Sequence, residues 1–229
     1  MLIVRPDFNH QIDLPGTGLC PRPVDIDRSH TGFSELVSLR VYSFAEGVII
    51  NGEAEEDELF IVLLRGRAAV TVSGEEYQSF GFQLQRDCGV RAVYLPPHAS
   101  YRLSAVSDCD VAYARAKPNG ENIPPVLGFT PGADRLDIVG HALGMELVLA
   151  TVEAGHHSIA SHAASLPERF VHVRSDGGVT ATIAGETMGN WDSVALDSGE
   201  DAFLAVHAGT ADFLTISATR CDQVNQRSQ

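Results

Sequence analysis

The fold class that the sequence predicts is all-β, with two tandem jelly-roll-like barrels. Short runs of β-branched, aromatic and aliphatic residues alternate with turns rich in Gly, Pro and Asp, and no long stretch carries the apolar stripe of an amphipathic helix. A block of sequence from the first half also recurs in the second half. Many short strands with regular turns are typical of sandwiches and barrels, and the recurrence predicts two such bodies in one chain.

The predicted strands follow an N-terminal arm. Residues 1 to about 33 are rich in Pro, Gly and Asp and are expected to be irregular, apart from a short strand at 2–4. Further strands are predicted at residues 36–44, 59–64, 68–72, 92–95, 101–105, 111–116, 145–152, 170–173, 179–183, 202–206 and 213–217.

The recurring block consists of three segments in the same order, each pair separated by about 110 residues. The matching pairs are 58–61 with 168–171, 69–75 with 180–186, and 92–95 plus His98 with 202–205 plus His207. A shared order and offset indicate duplication of one barrel. Gly74 and Gly185 are expected in equivalent hairpins, where glycine supplies the positive φ of a tight turn.

A proline-rich stretch at residues 117–132 is predicted to be the crossover between the barrels. The predicted domains are therefore an N-terminal barrel, residues 1–128, and a C-terminal barrel, residues 129–229. No metal is expected in the first barrel, because its acidic loop at 51–58 contains no histidine. Its expected roles are to support the second barrel and to supply a surface for homo-oligomers.

Composition argues against several classes of protein. The chain has 229 residues and a formal net charge of −14, without the basic stripe that a nucleic-acid-binding protein needs. No segment approaches the about 20 apolar residues that span a bilayer. The four cysteines are scattered without a Cys-x-x-Cys pair, which favours a reducing cytoplasm. Gly-x-Ser-x-Gly, phosphate-loop and dinucleotide-binding motifs are also absent from the sequence.

The second half carries a histidine-rich segment that favours a metal site. His162 and Glu168 are spaced as the first histidine and the glutamate of a His-x-His-x-x-x-Glu pattern, with Ala164 in the middle, and His207 follows the strand at 202–206. This arrangement resembles the metal site of cupin barrels, in which a His-x-His pair on one strand face is joined by a glutamate from the next strand and a histidine from a later one. The predicted ligands are His162, Glu168 and His207, and the ion is divalent zinc, manganese, iron or nickel.

His172 is a second candidate for chemistry. On a strand that starts at Glu168, residues 168, 170 and 172 share one face. If Glu168 points into the barrel, His172 also does, and it is then a replacement ligand or a proton shuttle. Glu168 and His172 are therefore the predicted catalytic residues. The alternative is that these histidines are ordinary core or polar residues and that the metal site has been lost.

The sequence resembles the 5-deoxy-glucuronate isomerase family of inositol catabolism and, more distantly, the uronate ketol-isomerases of pectin breakdown. The resemblance is clearest at residues 2–6 (LIVRP), 58–68 (ELFIVLLRGRA), 93–97 (VYLPP) and 111–114 (VAYA), and it continues to Gly140. The family is bicupin, in agreement with the internal repeat.

The resemblance implies aldose–ketose isomerisation of a deoxy uronic acid, with a metal in the C-terminal barrel at His162, Glu168 and His207. The sequence differs from the family's pattern at the positions of the metal site. The second histidine of the family's pair is Ala164, and its Pro-Pro-His-Lys-His run is reduced to residues 160–164, ASHAA. Fold is therefore inferred more firmly than function.

Three functions remain open from the sequence. The first is an isomerase-like enzyme that acts on a small sugar acid, in which a metal polarises the substrate and Glu168 or His172 moves the proton. The second is a non-catalytic sugar-binding or regulatory cupin whose metal site has been lost. The third is a metal-dependent cupin of different chemistry, such as an oxygenase.

Overall fold

A computed structural model describes residues 1–74, 77–85, 90–118, 127–128, 135–139, 145–159, 168–197, 200 and 203–218. Within these residues the chain is almost entirely β-strand, with one single-turn helix, α1 (Arg28–Thr31). The predicted all-β class is confirmed.

The strands alternate with short turns throughout, as the sequence pattern predicted. Their bounds are β1 Leu2–Val4, β2 Gln11–Leu14, β3 Gly18–Pro21, β4 Val24–Asp27, β5 Leu36–Phe44, β6 Ile49–Glu53, β7 Glu58–Arg65, β8 Arg67–Gly74, β9 Tyr77–Gln85, β10 Ala92–Leu95, β11 Ser100–Ala105, β12 Cys109–Ala116, β13 Leu127–Gly128, β14 Arg135–Val139, β15 Met145–Glu153, β16 His157–Ile159, β17 Glu168–Arg174, β18 Thr180–Ile183, β19 Glu186–Met188, β20 Ser193–Leu196, β21 Phe203–Ala208 and β22 Thr210–Ala218.

The chain divides into two compact units, each with its own core. The N-terminal unit comprises Asp7–Asp25 and Val37–Gly132, and the C-terminal unit comprises Met1–Pro6, Ile26–Leu36 and Ala133–Gln229. The sequence prediction divided the chain into residues 1–128 and 129–229. In the structure, Met1–Pro6 and Ile26–Leu36 group with the C-terminal unit.

Among the described residues, each unit contains one six-stranded and one four-stranded sheet, and the N-terminal unit also contains the two-stranded sheet β2-β3. In the N-terminal unit the strand orders are β13-β10-β7-β12-β5-β4 and β6-β11-β8-β9. In the C-terminal unit they are β1-β20-β17-β22-β15-β14 and β16-β21-β18-β19. The strand orders of the two units correspond. Each of the strands β5 to β12 in the N-terminal unit occupies the same place as the strand numbered ten higher, β15 to β22, in the C-terminal unit. This correspondence supports duplication of one jelly-roll unit.

The equivalence of the hairpins follows from the same topology. The β8–β9 and β18–β19 hairpins occupy the same edge of the four-stranded sheets. Gly185 has a φ of 85° in the second hairpin, as predicted. In the first hairpin, Gly74 is the last residue of β8 and pairs with Tyr77, and residues 75–76 lie outside the described part of the chain.

The third pair of the predicted repeat is wrong. Strand β10, residues Ala92–Leu95, corresponds in topology to β20, residues Ser193–Leu196, and not to the strand that contains 202–206. The offset falls from about 110 residues at β8 and β18 to about 100 at β10 and β20, because the second unit is shorter between these strands. His207 on β21 is therefore not the equivalent of His98.

The N-terminal arm is more regular than its composition predicted. It forms the hairpin β2–β3, the strand β4 and helix α1. Asp27 caps this helix by accepting a hydrogen bond from the Ser29 backbone N–H, and Gly32 ends the helix with a φ of 71°.

Side chains from both sheets fill the space inside each unit. The core of the N-terminal unit includes Leu59, Ile61 and Leu63 of β7. The core of the C-terminal unit includes Val171 and Val173 of β17. In the part of the chain that the structure describes, no helix is long and apolar enough to cross a membrane.

Candidate functional site in the C-terminal unit

Of the predicted ligands, Glu168 and His207 are described, whereas His162 and Ala164 fall in residues 160–167, outside the described ranges. Glu168 is the first residue of β17, and its side chain is buried. Its carboxylate accepts four hydrogen bonds from the segment before β5. These come from Ser34 N at 2.5 Å, Ser34 Oγ at 2.9 Å, Glu35 N at 2.8 Å and Leu36 N at 2.8 Å.

These contacts give Glu168 a structural role. A carboxylate has about four lone-pair positions, and here four donors of the protein occupy them. Three of the donors are backbone N–H groups that need an acceptor when they are buried. Glu168 therefore anchors the segment at 34–36 to strand β17.

Glu168 and His172 share a strand face, as predicted, but that face is not the interior of the barrel. Val171 and Val173 pack in the core between the sheets, so the alternate residues 168, 170 and 172 point to the opposite side of the six-stranded sheet. Phe170 illustrates this orientation, since its ring centroid lies 5.4 Å from that of Phe33 in the preceding segment.

His172 is fully buried on this outer face. Its Nδ1 forms a hydrogen bond of 2.8 Å with Ser193 Oγ, and Nε2 has no hydrogen-bond partner among the described residues. The Trp191 ring lies edge-on at 5.9 Å. Burial, and secondarily the charge of Arg174, lowers the pKa of His172 to about 3. The imidazole is therefore neutral at physiological pH.

His207 lies on β21 and is exposed to solvent. Its Nε2 is 3.2 Å from Thr182 Oγ1 on the neighbouring strand. Leu204 and Val206 of the same strand pack in the core, so His207 is on the outer surface of the four-stranded sheet.

The predicted convergence of Glu168 and His207 inside the barrel is therefore corrected. Glu168 lies on the outer face of the six-stranded sheet, and His207 lies on the outer face of the four-stranded sheet. Sheets that pack face to face lie about 10 Å apart. A metal ion needs ligand atoms within about 2.0–2.2 Å, so one ion cannot bind both. Among the residues that the structure describes, no three His, Cys, Asp or Glu side chains come close enough to bind a metal. Glu168 and His207 do not fit the predicted ion.

The interior of this barrel instead presents a different polar row, Glu146, Ser217 and Arg169. Ser217 on β22 pairs with Glu146 on β15 and with Arg169 on β17. All three share the strand face of Val171 and of the inward-facing Ala150. Glu146 and Ser217 are buried, and Arg169 Nη2 donates to the Glu200 backbone carbonyl. The grouping of Glu146 and Ser217 with Arg169 was not predicted from the sequence, although the alternation along β17 already separates Arg169 from Glu168.

The row combines a carboxylate, a hydroxyl and a guanidinium on one inward-facing surface. A carboxylate can move protons, and a guanidinium can pair with the carboxylate of a ligand. The arrangement therefore provides two of the groups needed to bind and rearrange an organic acid.

Two jelly-roll units with the same strand order in one chain define a bicupin. Residues 22–140 match the family model described as the KduI/IolB family, and this chain belongs to that family. The 5-deoxy-glucuronate isomerase of Geobacillus kaustophilus (strain HTA426) is 28% identical over 88 residues. This alignment includes 38% of the present chain and 32% of the relative, so the match spans about a third of the relative's length.

Solved structures show the same fold over nearly the whole chain. An IolB-like protein from Salmonella typhimurium LT2 aligns with a TM-score of 0.68 and 19% identity, covering 96% of this chain and 93% of that one. A variant of Bacillus subtilis oxalate decarboxylase aligns with a TM-score of 0.66 and 11% identity, covering 95% and 77%. These similarities support the bicupin fold.

Proposed function

We propose that this chain is an isomerase of inositol catabolism that interconverts the aldose and ketose forms of a deoxy uronic acid. Membership of the KduI/IolB family and the similarity to a 5-deoxy-glucuronate isomerase support the reaction class. The observation that carries the proposal in the structure is the inward-facing row of Glu146, Ser217 and Arg169.

The reaction requires a base and a group that holds the substrate's acid end. The hydroxyl-bearing carbon beside the aldehyde loses a proton while the aldehyde oxygen gains one, which gives an enediol. The hydroxyl on that carbon then loses its proton to become the ketone, and a proton is added to the former aldehyde carbon. Glu146 is assigned to this proton transfer, and Arg169 is assigned to the substrate carboxylate. Because Glu168 and His207 do not fit the predicted metal, no step of the proposal uses an ion held by them.

The test uses 5-deoxy-glucuronic acid with the full-length protein in deuterated water. Aldose–ketose isomerisation through an enediol is expected to incorporate solvent deuterium at the carbon that receives the proton, and proton NMR would follow both this exchange and the ketose product. Binding of the acid without exchange or product would contradict the isomerase proposal.

Glu146→Gln is expected to lower kcat by about 100-fold, because acid–base catalysis typically contributes 10²–10⁴-fold. Glu186→Gln on β19 is the matched control, since Glu186 is exposed, and it should leave kcat unchanged. Fluorescence of Trp191, the single tryptophan of the chain, would verify that both variants remain folded. Unchanged kcat in folded Glu146→Gln would contradict the assignment of the base.

A second candidate function is binding of a sugar acid without catalysis. The positions of Glu168 and His207 favour it, since the two described residues of the predicted metal site point to opposite outer faces. Isothermal calorimetry beside the NMR assay separates the candidates: heat of binding without deuterium exchange is the result expected of a binding protein.

A further inference from the structure

The N-terminal unit contains a cavity of about 80 Å³ within its barrel. Its polar lining residues are Ser38, Arg40, Tyr42, Tyr101, Tyr113 and Arg115, and three aliphatic or aromatic side chains complete the wall. The polar residues come from β5, β11 and β12, so both sheets of the unit contribute. None of the three predicted metal ligands or the two predicted catalytic residues lies in this unit.

The strongest sign that the cavity accepts a ligand is the hydroxyl of Tyr113. Only 7% of its surface is exposed, and by distance and angle Oη has no hydrogen-bond partner among the described residues. The Tyr101 phenol interacts with it, but without the alignment of a full hydrogen bond. The ring is fixed by the neighbouring aromatic rings, with centroid distances of 5.4 Å to Tyr42 and 5.9 Å to Tyr101. A buried hydroxyl without a partner is unfavourable, so an acceptor within the cavity would stabilise it.

The phenols around the cavity are hydrogen-bond donors over the physiological pH range. Burial raises the pKa of Tyr101 to about 12 and raises that of Tyr113 well above its ordinary value. Tyr42 Oη accepts a hydrogen bond of 3.3 Å from Arg22 Nη1, and its own hydrogen remains available to donate. The complementary ligand therefore carries acceptor oxygens.

The charged groups that line the wall itself are both positive. Two guanidinium groups and no carboxylate are among the described lining residues. Asp25 is shared by two arginines, since it lies 3.1 Å from Arg40 and 2.6 Å from Arg22. One negative charge therefore balances two positive charges at this side of the cavity.

Arg115 is held at the other side mainly by uncharged oxygens. It donates to the backbone carbonyls of Ala54 and Glu53, both at 2.7 Å. The carboxylates of Glu55 and Asp57 are farther away, at 3.5 Å. These contacts fix the guanidinium beside the cavity.

We propose that this cavity is a second ligand site, which binds the carboxylate of a small organic acid through Arg40, Arg115 and the tyrosine hydroxyls. The carboxylate belongs either to a small free acid or to the acid end of a sugar acid whose remainder extends towards solvent. The proposal does not depend on the function assigned to the C-terminal unit.

The Tyr101 ring occupies space that is left free by Gly52, the residue opposite it. Tyr101 pairs across the sheet with Gly52, and a Cβ added to Gly52 would lie 2.5 Å from Tyr101 Oη. Only glycine leaves room for the ring in this place. Gly52→Ala is therefore a way to displace the Tyr101 hydroxyl without changing a residue of the cavity wall.

The experiment titrates the full-length protein with acetate, D-glucuronate and D-glucose, followed by calorimetry and by NMR of the ligand. Saturable binding of acetate identifies a small-acid site, and binding of D-glucuronate alone identifies a sugar-acid site; either result supports the proposal if Tyr113→Phe weakens that binding. Binding of D-glucose as strong as that of D-glucuronate, or saturable binding of neither acid, would overturn it.

Tyr113→Phe is expected to weaken carboxylate binding about 10-fold, the effect of losing one hydrogen bond. Because the variant keeps the packed ring and loses only the hydroxyl, the fold should lose little stability. Tyr94→Phe is the matched control, since Tyr94 is buried on the opposite face of the six-stranded sheet, where its ring contacts Phe60 at 5.6 Å. Equal affinity of Tyr113→Phe and wild type would contradict the proposal.

Further variants separate this site from the C-terminal unit. Gly52→Ala and Arg40→Gln should weaken binding, whereas Arg102→Gln, at an exposed position beside Tyr101, should not. Glu146→Gln should leave this binding unchanged. If Glu146→Gln removes D-glucuronate binding and Tyr113→Phe does not, the ligand binds in the C-terminal unit and the second site is refuted.

Discussion

Glu168→Ala is expected to lower the free energy of unfolding by about 4 kcal/mol. The substitution removes the acceptor of four hydrogen bonds and leaves three backbone N–H groups at residues 34–36 without it. Each buried donor left unsatisfied costs about 1–3 kcal/mol, and solvent that enters the site reduces the sum. Glu168→Gln keeps one acceptor oxygen and should cost about half as much.

Urea unfolding followed by Trp191 fluorescence measures this effect in the C-terminal unit. Glu153→Ala is the matched control, because Glu153 is an exposed carboxylate on β15 and surface substitutions usually change stability by less than about 0.5 kcal/mol. A change of less than 0.5 kcal/mol in Glu168→Ala would show that the carboxylate does not anchor the 34–36 segment. It would also reopen the metal-ligand role predicted from the sequence.

Acid is expected to destabilise the C-terminal unit through His172. The pKa of His172 is about 3 in the folded protein and about 6.5 in an unfolded chain. Between these values the unfolded state binds a proton that the folded state does not, so stability falls as the pH falls. At about 1.4 kcal/mol per pH unit, the contribution present above pH 6.5 and lost by pH 3 is about 5 kcal/mol.

His172→Gln should remove this part of the pH dependence, because glutamine does not titrate. The measurement is the free energy of unfolding at pH 4, 5, 6 and 7, and the informative quantity is the difference in slope between variant and wild type, since other groups contribute equally to both. His207→Gln is the control, as His207 is exposed, and it should keep the wild-type slope. Parallel pH profiles for His172→Gln and wild type would refute the buried, neutral state of this histidine.

These two predictions bear directly on function. If both hold, Glu168 and His172 act in folding, and the residues for chemistry must be sought on the inner face, where Glu146 and Arg169 lie. A loss of activity in Glu168→Ala would then be accompanied by a loss of stability, whereas Glu146→Gln would lose activity in a folded protein.

Much of the architecture follows from the sequence. The strands at 36–44 and 92–95 were predicted with their observed bounds, because alternating β-branched and aromatic residues between Gly and Pro turns favour no other local structure. The repeat at 58–61 and 168–171 identified equivalent strands, β7 and β17, and the turn at Gly185 required a positive φ that glycine adopts readily. Such features depend on neighbouring residues alone.

Only the tertiary structure decided which face of β17 is the interior. The alternation of side chains along a strand shows which residues share a face. It identifies the inner face only when the residues of the other face are polar and exposed to solvent. Strand β17 is buried on nearly all of its residues, with Val171 in the core and Glu168 bound by residues more than 130 positions earlier in the chain. Contacts at that sequence separation leave no local pattern, which is why Glu168 was predicted to be a metal ligand and Arg169 was not grouped with Glu146.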